Sequence, residues 1–378
     1  MGAGSPTSLF SFVDERLLTE KLIGFDSSNA QGVRLCAGFV RGWLEARDVT
    51  VHELTVRDLP VLVADAGPED APLTILLHGH LDVVPGRQEQ FVARVEGDRL
   101  FGRGAYDMKG ALAALLLVIA DLQDTGDVRV RLGIVPDEES EEEVERGCDL
   151  LIDAGFRGDF AITGEPTDML VGVAAKGVFA MRIRVDGLAA HGATPWLGDN
   201  AILKAIEVFR RIESLPFAKE SSELYDRPSI NLGRIIGGDA LNKVPDACVI
   251  DVDVRYLPEQ EPEAILAQVA GIEGAEVIST FRRPPAAVDP SSGFVQALCD
   301  AASPHHPDEV TSIGRDGASD AVSFLRVGIP AVEFGPLGAG HHGPEEWVSI
   351  FSLANYRRTI TDFVESLPAR MSADRGAG

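Results

Sequence analysis

Short apolar runs alternate with helical patterns through the first part of the chain. Residues 73–77 (LTILL) are too few for a helix and rich in strand-forming side chains, whereas residues 108–123 (MKGALAALLLVIADLQ) have a strongly helical pattern. Alternating strands and helices are typical of a mostly parallel sheet covered by helices. The same reasoning predicts further helices at 13–22, 33–47, 148–154 and 352–367, and further strands at 49–54, 61–65, 129–135, 160–163 and 329–334.

The strand pattern changes in the middle of the chain. Apolar and polar residues alternate there, which is typical of an antiparallel sheet with one solvated face, at 179–185 (FAMRIRV), 229–235 (SINLGRI) and 248–256 (CVIDVDVRY). Helical patterns at 201–212 and 262–269 are expected to cover the other face. The sequence therefore predicts an α+β domain inserted at residues 178–286 into an α/β domain that comprises residues 1–177 and 287–378.

Side chains that bind metals follow three successive strands of the α/β domain. His80, Glu139 and Glu165 each come after one of these strands, and Asp107 precedes the long helix, where capping is its ordinary role. Because parallel strands end at the same edge of a sheet, and ligands bind at that edge, the four side chains are expected to converge. A single histidine or acid at a strand end is usually structural, but four together favour a metal site.

The mixture of imidazole and carboxylate suits zinc or another borderline divalent ion better than calcium or magnesium. Two ions about 3.5–4 Å apart need a bridging carboxylate, and Asp107 is the candidate. Asp82 lies two residues after His80 on the same face, where it can accept a hydrogen bond from the second imidazole nitrogen. With Glu139 on a metal, Glu138 stays free to take a proton from water.

Two further histidines lie near the C-terminus. The loop GPLGAGHH follows the predicted strand at 329–334 and ends in His341 and His342. Either imidazole can complete the ligand set of a second ion. The metal ligands are therefore expected to come from both ends of the chain.

Charge and composition exclude several kinds of partner. The 378 residues contain 34 Lys and Arg against 59 Asp and Glu, and the net charge of −25 repels phosphate backbones and anionic membranes. No stretch approaches the roughly 18 apolar residues of a membrane span, and the first residues do not resemble a signal peptide. The four cysteines show no CxxC spacing and are expected to be reduced thiols. We expect a cytoplasmic protein with no nucleic-acid or membrane partner.

Two other functions compete with a metal-dependent hydrolase. A serine hydrolase needs a nucleophile elbow, but the nearest match, GASDA at 317–321, lacks the second glycine of GxSxG. A dimeric binding protein that kept its metals without catalysis would be expected to have lost Glu138 or a metal ligand, and neither is missing. Metal analysis combined with an amidase assay distinguishes all three.

Six motifs in order resemble a known family: HGHLDVVP, GRGAYDMKGALAA, PDEES, GEPTD, AHGATP and HGPEEWV. They are similar to motifs of the two-zinc metallohydrolases that include acetylornithine deacetylase, succinyl-diaminopimelate desuccinylase, aminoacylase and glutamate carboxypeptidase. The resemblance covers nearly the whole chain. No single motif is decisive, but together they are highly specific.

The resemblance implies a role for each residue of the predicted metal site. It implies two Zn²⁺ ions, with Co²⁺ or Mn²⁺ accepted in some relatives, and Glu138 as the general base. It also implies a cis peptide bond between Asp107 and Met108. The implied ligands are His80, Asp107 as the bridge, Glu139, Glu165 and, because a glutamate follows four residues later, His342 rather than His341.

The resemblance also implies roles for three residues of the inserted domain. It implies that the insert forms a homodimer and that His191 reaches the partner subunit's active site to stabilise an oxyanion. Asn242 and Arg255 are similar to positions that bind the substrate carboxylate. From the residues alone, a surface histidine and a salt-bridged surface arginine are the alternatives.

The expected reaction is hydrolysis of the amide bond in a small N-acyl amino acid or a short peptide with a free carboxylate. The motifs DMKGALAA and GEPTD slightly favour the acetylornithine deacetylase and succinyl-diaminopimelate desuccinylase branch. A metallo-carboxypeptidase or dipeptidase of the same family is the alternative. These enzymes share the metal ligands, so the acyl group and the amino acid stay open.

Overall fold

The computed structural model describes residues 13–140, 146–306 and 310–376. The helices are α1 (Val13–Ile23), α2 (Ala30–Glu45), α3 (Gly110–Asp121), α4 (Gly147–Asp153), α5 (Ala201–Ile212), α6 (Pro262–Ala270), α7 (Gly293–Ala302), α8 (Ala321–Leu325) and α9 (Ile350–Gly376). The strands are β1 (Val51–Val56), β2 (Leu59–Ala66), β3 (Leu73–His80), β4 (Arg94–Glu96), β5 (Arg99–Phe101), β6 (Val128–Val135), β7 (Phe160–Thr163), β8 (Val171–Ala175), β9 (Gly177–Asp186), β10 (Ser229–Gly237), β11 (Ala247–Tyr256), β12 (Glu276–Arg283), β13 (Ala286–Ala287), β14 (Ser312–Arg315), β15 (Ala331–Glu333), β16 (Gly338–Ala339) and β17 (Trp347–Ser349).

The chain divides into two compact units. The first unit comprises Met1–Gly172, Val288–Ser312 and Ser323–Gly378, and the second comprises Val173–Ala287 and Ile313–Val322. The second unit therefore includes a short segment, Ile313–Val322, that lies outside the predicted insert at 178–286. The predicted fold class, a mixed and mostly parallel sheet flanked by helices with additional sheet structure, is confirmed.

The sheet of the first unit has the strand order β1-β2-β6-β3-β7-β15-β8. Strand β3 is parallel to both β6 and β7, and β15 is parallel to β7. Strands β1 and β2 extend the sheet in antiparallel pairing. Because His80 pairs with Val135 in the ladder of β3 and β6, the carboxyl ends of these strands lie at one edge of the sheet.

Burial explains why β3, β7 and α3 are predominantly apolar. Strand β3 is buried at every position except Thr74, and all four residues of β7 are buried. Helix α3 is buried from Gly110 to Ile119, and it contacts both α1 and α9. Helices with buried residues on every face are typical of the core of a large domain. Within the described residues, no helix combines the length and apolar character needed to cross a bilayer.

The second unit contains an antiparallel sheet with the order β10-β11-β9-β12. Alternate residues of β9 and β11 are buried in a core with α5 and α6. The opposite face is polar, and Arg182 of β9 pairs there with Asp251 of β11 at 2.7 Å. Asn200 caps α5 by accepting a hydrogen bond from the Ile202 N–H at 3.0 Å, which fixes the start of the covering helix.

Candidate metal centre

His80 lies at the carboxyl end of β3 and is completely buried. Its Nε2 atom lies 3.3 Å from Oδ1 of Asp107 and 3.8 Å from Oε1 of Glu165. Glu165 follows β7, the strand next to β3, so the parallel pairing brings these two ligands to the same edge of the sheet. The three side chains form a group that can hold a metal ion, and we call them the first triad.

Asp107 lies in the turn Ala105–Lys109, just before α3. The N-cap of α3 is Lys109, so Asp107 does not have the capping role that is ordinary for an acid before a helix. The peptide bond between Asp107 and Met108 is cis, as the family resemblance implied. With the cap role excluded, the Asp107 carboxylate is available to the neighbouring imidazoles.

The second triad consists of Asp107, Glu139 and His342. The Nε2 atom of His342 lies 3.3 Å from Oδ2 of Asp107 and 3.0 Å from Oε1 of Glu139. Asp107 therefore directs one carboxylate oxygen to His80 and the other to His342, which is the arrangement of a bridging ligand. Among the described residues, His341 belongs to neither triad; its ring contacts that of Tyr106 at a centroid distance of 6.0 Å.

Asp82 contacts the backbone of the two glutamates. Its carboxylate accepts hydrogen bonds from the N–H groups of Glu138 at 3.2 Å and Glu139 at 2.9 Å. The Nδ1 atom of His80 lies 2.9 Å from the carbonyl oxygen of Asp82 and 3.5 Å from its carboxylate. The Asp82 carbonyl is thus the nearer partner of the imidazole, and the carboxylate fixes the turn that carries Glu138 and Glu139.

The pKa shifts show that the buried cluster attracts positive charge. Burial raises the pKa of Glu165 well above its ordinary value, and the nearby Asp107 raises it further. Burial alone would lower the pKa of His80, but the surrounding carboxylates outweigh it and raise this pKa. Hydrogen bonds to Asp107 and Glu139 raise the pKa of His342 to about 10. Without another cation, protons on these imidazoles would supply the positive charge.

An unsatisfied oxygen indicates that a metal ion fits this position better than protons do. Oε1 of Glu165 is buried and has no hydrogen-bond partner among the described residues. Leaving a buried carboxylate oxygen without a partner is costly, and a cation next to it removes the cost. Two imidazoles with three carboxylates also match the donors that zinc prefers. The residues present therefore fit a pair of divalent ions.

The three residues predicted in the inserted domain lie in the second unit. Nδ1 of His191 accepts a hydrogen bond from the Ala193 N–H at 3.0 Å, and the side chain is exposed. The carbonyl of Asn242 accepts from the Gly192 N–H at 2.7 Å, so His191 and Asn242 lie on adjoining segments. Arg255 pairs with Asp253 at 2.9 Å.

Two buried residues next to the second triad were not identified from the sequence. Arg103 and Glu346 form an ion pair at 2.8 Å, and Glu346 also contacts the backbone of the turn that carries Asp107. The spacing from His342 to Glu346 served only to select the histidine, because a spacing pattern does not show what a carboxylate contacts.

Comparisons with known proteins identify the family of this chain. Residues 76–366 match the model of peptidase family M20/M25/M40. A probable succinyl-diaminopimelate desuccinylase from Staphylococcus aureus is 26% identical, and the match covers 88% of this chain and 92% of the relative. A probable carboxypeptidase from Emericella nidulans is 33% identical over 55% of each chain. The solved structure of a Staphylococcus aureus tripeptidase superposes with a TM-score of 0.78 at 20% identity, covering 95% of this chain and 99% of that one.

Proposed function

This chain belongs to peptidase family M20/M25/M40 and is a hydrolase of amide or peptide bonds, and on that premise we propose that it is a two-zinc deacylase of N-acyl amino acids. The observation that carries the proposal is the Asp107 carboxylate, whose two oxygens lie 3.3 Å from the imidazoles of His80 and His342. A carboxylate between two imidazole-containing triads is the arrangement that a paired-ion hydrolase needs.

The first triad would hold one ion and the second triad the other, with Asp107 common to both. When held there, zinc ions would supply Lewis-acid chemistry, polarising the amide carbonyl and lowering the pKa of water towards about 7. Co²⁺ and Mn²⁺ fit the same donors. Glu138 adjoins Glu139 in the turn that Asp82 fixes, and it takes a proton from the attacking water and returns it to the leaving amine. Fixing this turn in advance favours proton transfer, because the base does not need to be reoriented in each turnover.

We assign catalysis to the first unit and dimerisation, with a lid over the substrate, to the second unit. His191 of each subunit would stabilise the oxyanion in the partner's site, and Asn242 and Arg255 would bind the substrate carboxylate. Exposed apolar side chains of the second unit support association with a second copy, because large apolar groups are uncommon on a monomer's surface when they cluster. Three of them, on or near the segments that carry His191 and Asn242, are Trp196, Leu197 and Leu241.

We also propose a cytoplasmic location. The four cysteines form no disulfide bond, and Cys36, Cys148 and Cys248 are buried, as expected for a protein that matures in a reducing compartment. The strongly negative net charge supports a small-molecule substrate and argues against nucleic acid or an anionic membrane as a partner.

A metallo-carboxypeptidase or dipeptidase is the second candidate. The carboxypeptidase from Emericella nidulans supports this alternative, while the desuccinylase from Staphylococcus aureus supports the deacylase. Both activities use the same ligands, so the substrate decides between them. A metal-binding dimer without catalysis is a remote third candidate.

The experiment is a substrate panel on the zinc-loaded protein, with metal content measured on the same sample. N-acetyl and N-succinyl amino acids represent the deacylase, and dipeptides and N-blocked dipeptides represent the peptidases. We expect two zinc ions per chain and the highest kcat/KM on an N-acyl amino acid. A higher kcat/KM on a dipeptide than on any N-acyl amino acid would favour the peptidase over the deacylase. Two bound ions without hydrolysis of any of these compounds would favour the non-catalytic dimer.

A further inference from the structure

The carboxylate of Glu346 is buried and fully engaged by the turn that leads to Asp107. Its Oε1 accepts hydrogen bonds from the N–H groups of Tyr106 at 3.0 Å and Asp107 at 3.1 Å. Its Oε2 accepts from the Gly104 N–H at 3.0 Å and from the Arg103 guanidinium at 2.8 Å. Three backbone N–H groups of this turn thus donate to one side chain from a distant part of the chain.

The Arg103 guanidinium also contacts the backbone of His342, another member of the second triad. It donates from Nη1 to Glu346 and from Nη2 to the carbonyl oxygen of His342 at 3.3 Å. Arg103 is 3% exposed and Glu346 is 2% exposed, so water does not compete for these contacts. The planar fork of arginine can make both contacts at once, which a lysine ammonium cannot do with the same geometry.

The backbone of His342 needs such support because its φ is +60°. This left-handed conformation is uncommon for a residue with a side chain and persists when surrounding contacts hold it. The Gln90 side chain donates to the carbonyl of the next residue, Gly343, at 3.1 Å, and the carbonyl of Glu346 accepts from the Gly102 N–H at 3.1 Å. The loop with His342 is therefore attached to the turn with Asp107 at several points.

We propose that Arg103 and Glu346 are positioning residues for the second metal ion. This proposal rests on the proposed two-metal function. The pair joins the turn that presents Asp107 to the loop that presents His342, and so sets the separation of two ligands that are far apart in the chain. His80 and Glu165 of the first triad are instead placed by adjacent parallel strands, β3 and β7.

This difference predicts an unequal loss of metal affinity when the pair is broken. Mutation of residues that orient metal ligands usually weakens metal binding by about 10–100-fold. We expect a loss of that size for one ion equivalent only. The other equivalent, held by His80 and Glu165, should weaken by less than about threefold, although it shares Asp107.

The test is a Co²⁺ titration of the metal-free protein, followed by visible absorption, because the spectrum reports the ligand geometry of each bound ion. Glu346→Gln keeps the size of the side chain and removes its charge. Arg103→Lys keeps the charge and removes the fork. The control is Glu345→Gln, since Glu345 also pairs with an arginine, Arg94, at 2.9 Å, but its side chain is 70% exposed.

Wild type and Glu345→Gln should bind two Co²⁺ ions with the same spectra. Both pair variants should bind the first ion nearly as wild type does, and the second about 10–100-fold more weakly with an altered spectrum. Circular dichroism of the metal-free proteins verifies folding. If Glu346→Gln does not fold, the Co²⁺ titration of Arg103→Lys tests the proposal. If a folded variant of Arg103 or Glu346 bound two Co²⁺ ions with wild-type affinities and spectra, the positioning role would be overturned. Fewer than two equivalents in wild type would instead overturn the two-metal function.

Discussion

Asp107 and His342 meet at the centre of the candidate metal site, with Oδ2 of one 3.3 Å from Nε2 of the other. This contact, together with Glu139, raises the pKa of His342 from 6.5 to about 10 in the metal-free protein. A metal ligand must be a deprotonated imidazole, so an ion that binds His342 at neutral pH has to displace a proton. The geometry thus links metal uptake to proton release.

We predict that binding of Zn²⁺ at pH 7 releases protons and that His342→Gln releases fewer. Isothermal titration in two buffers with different ionisation enthalpies measures the number of protons released. Heats of Zn²⁺ binding that do not depend on the buffer would contradict the predicted proton release.

The raised pKa of His342 also affects the stability of the metal-free fold. A raised pKa stabilises the folded state fully below about pH 6.5, and this contribution is lost as the pH rises through about 10.

The role of Glu138 predicts a loss of turnover without a loss of metal. General acid–base groups typically contribute about 10²–10⁴-fold to the rate, so Glu138→Gln should lower kcat by that factor. Metal content by atomic spectrometry should stay at the wild-type value. Glu139→Gln is the matched neighbour, and we expect it to weaken metal binding because Glu139 belongs to the second triad. If Glu138→Gln had the kcat of wild type, another residue would have to be the general base.

The proposed exchange of His191 between subunits predicts complementation. Homodimers of His191→Ala and of Glu138→Gln should each be nearly inactive. In a mixed dimer, one site would combine an intact Glu138 with the partner's intact histidine, so equal mixing should recover about a quarter of wild-type activity. The assay is kcat after the two variants are mixed and re-equilibrated. No recovery in a preparation shown by light scattering to contain mixed dimers would exclude action across the interface.

A buried ion pair in the first unit predicts a large effect on stability. Arg357 of α9 pairs with Glu15 of α1 at 2.8 Å and with Asp121 of α3 at 2.6 Å. Removing one partner of a buried pair leaves an uncompensated charge and typically costs about 3–5 kcal/mol, so Arg357→Met should lower the free energy of unfolding by that amount.

The matched control is Arg326→Met, since Arg326 pairs with Asp149 on the surface at 2.9 Å. Exposed pairs contribute about 0–1 kcal/mol, so this variant should resemble wild type. Urea unfolding of the metal-free proteins measures both changes. Equal effects of the two substitutions would show that the Arg357 cluster contributes no more than a surface pair.

Several elements predicted from the sequence have a regular pattern of burial, although the uniformly buried β8 was missed. Strand β3 is buried on both faces and reads as an apolar run, and β11 alternates because only one face is covered. Strands β4, β5, β16 and β17 have two or three residues, which is too few for a periodicity. Strand β12 was missed because its exposed and half-buried positions do not alternate regularly.

The convergence of His80 and Glu165 was predictable because strand ends of a parallel sheet share an edge, whereas the contacts around them were not. The contacts of Asp82 with two backbone N–H groups depend on a turn that the pairing of β3 with β6 brings next to it. Arg103 and Glu346 meet only in the folded chain. No local pattern contains such information, because each contact joins segments that are distant in the sequence.

The first unit is discontinuous in sequence, and this order affects biosynthesis. The ribosome produces Met1–Gly172 first, then the whole of Val173–Ala287, and only later the segment with β15 and His342. Domains generally fold as they emerge, from the N-terminus onwards. A nascent chain can gather His80, Asp107 and Glu165 early, but it lacks the imidazole of the second triad until His342 has been translated. The candidate metal centre can therefore be completed only after the second unit has been synthesised.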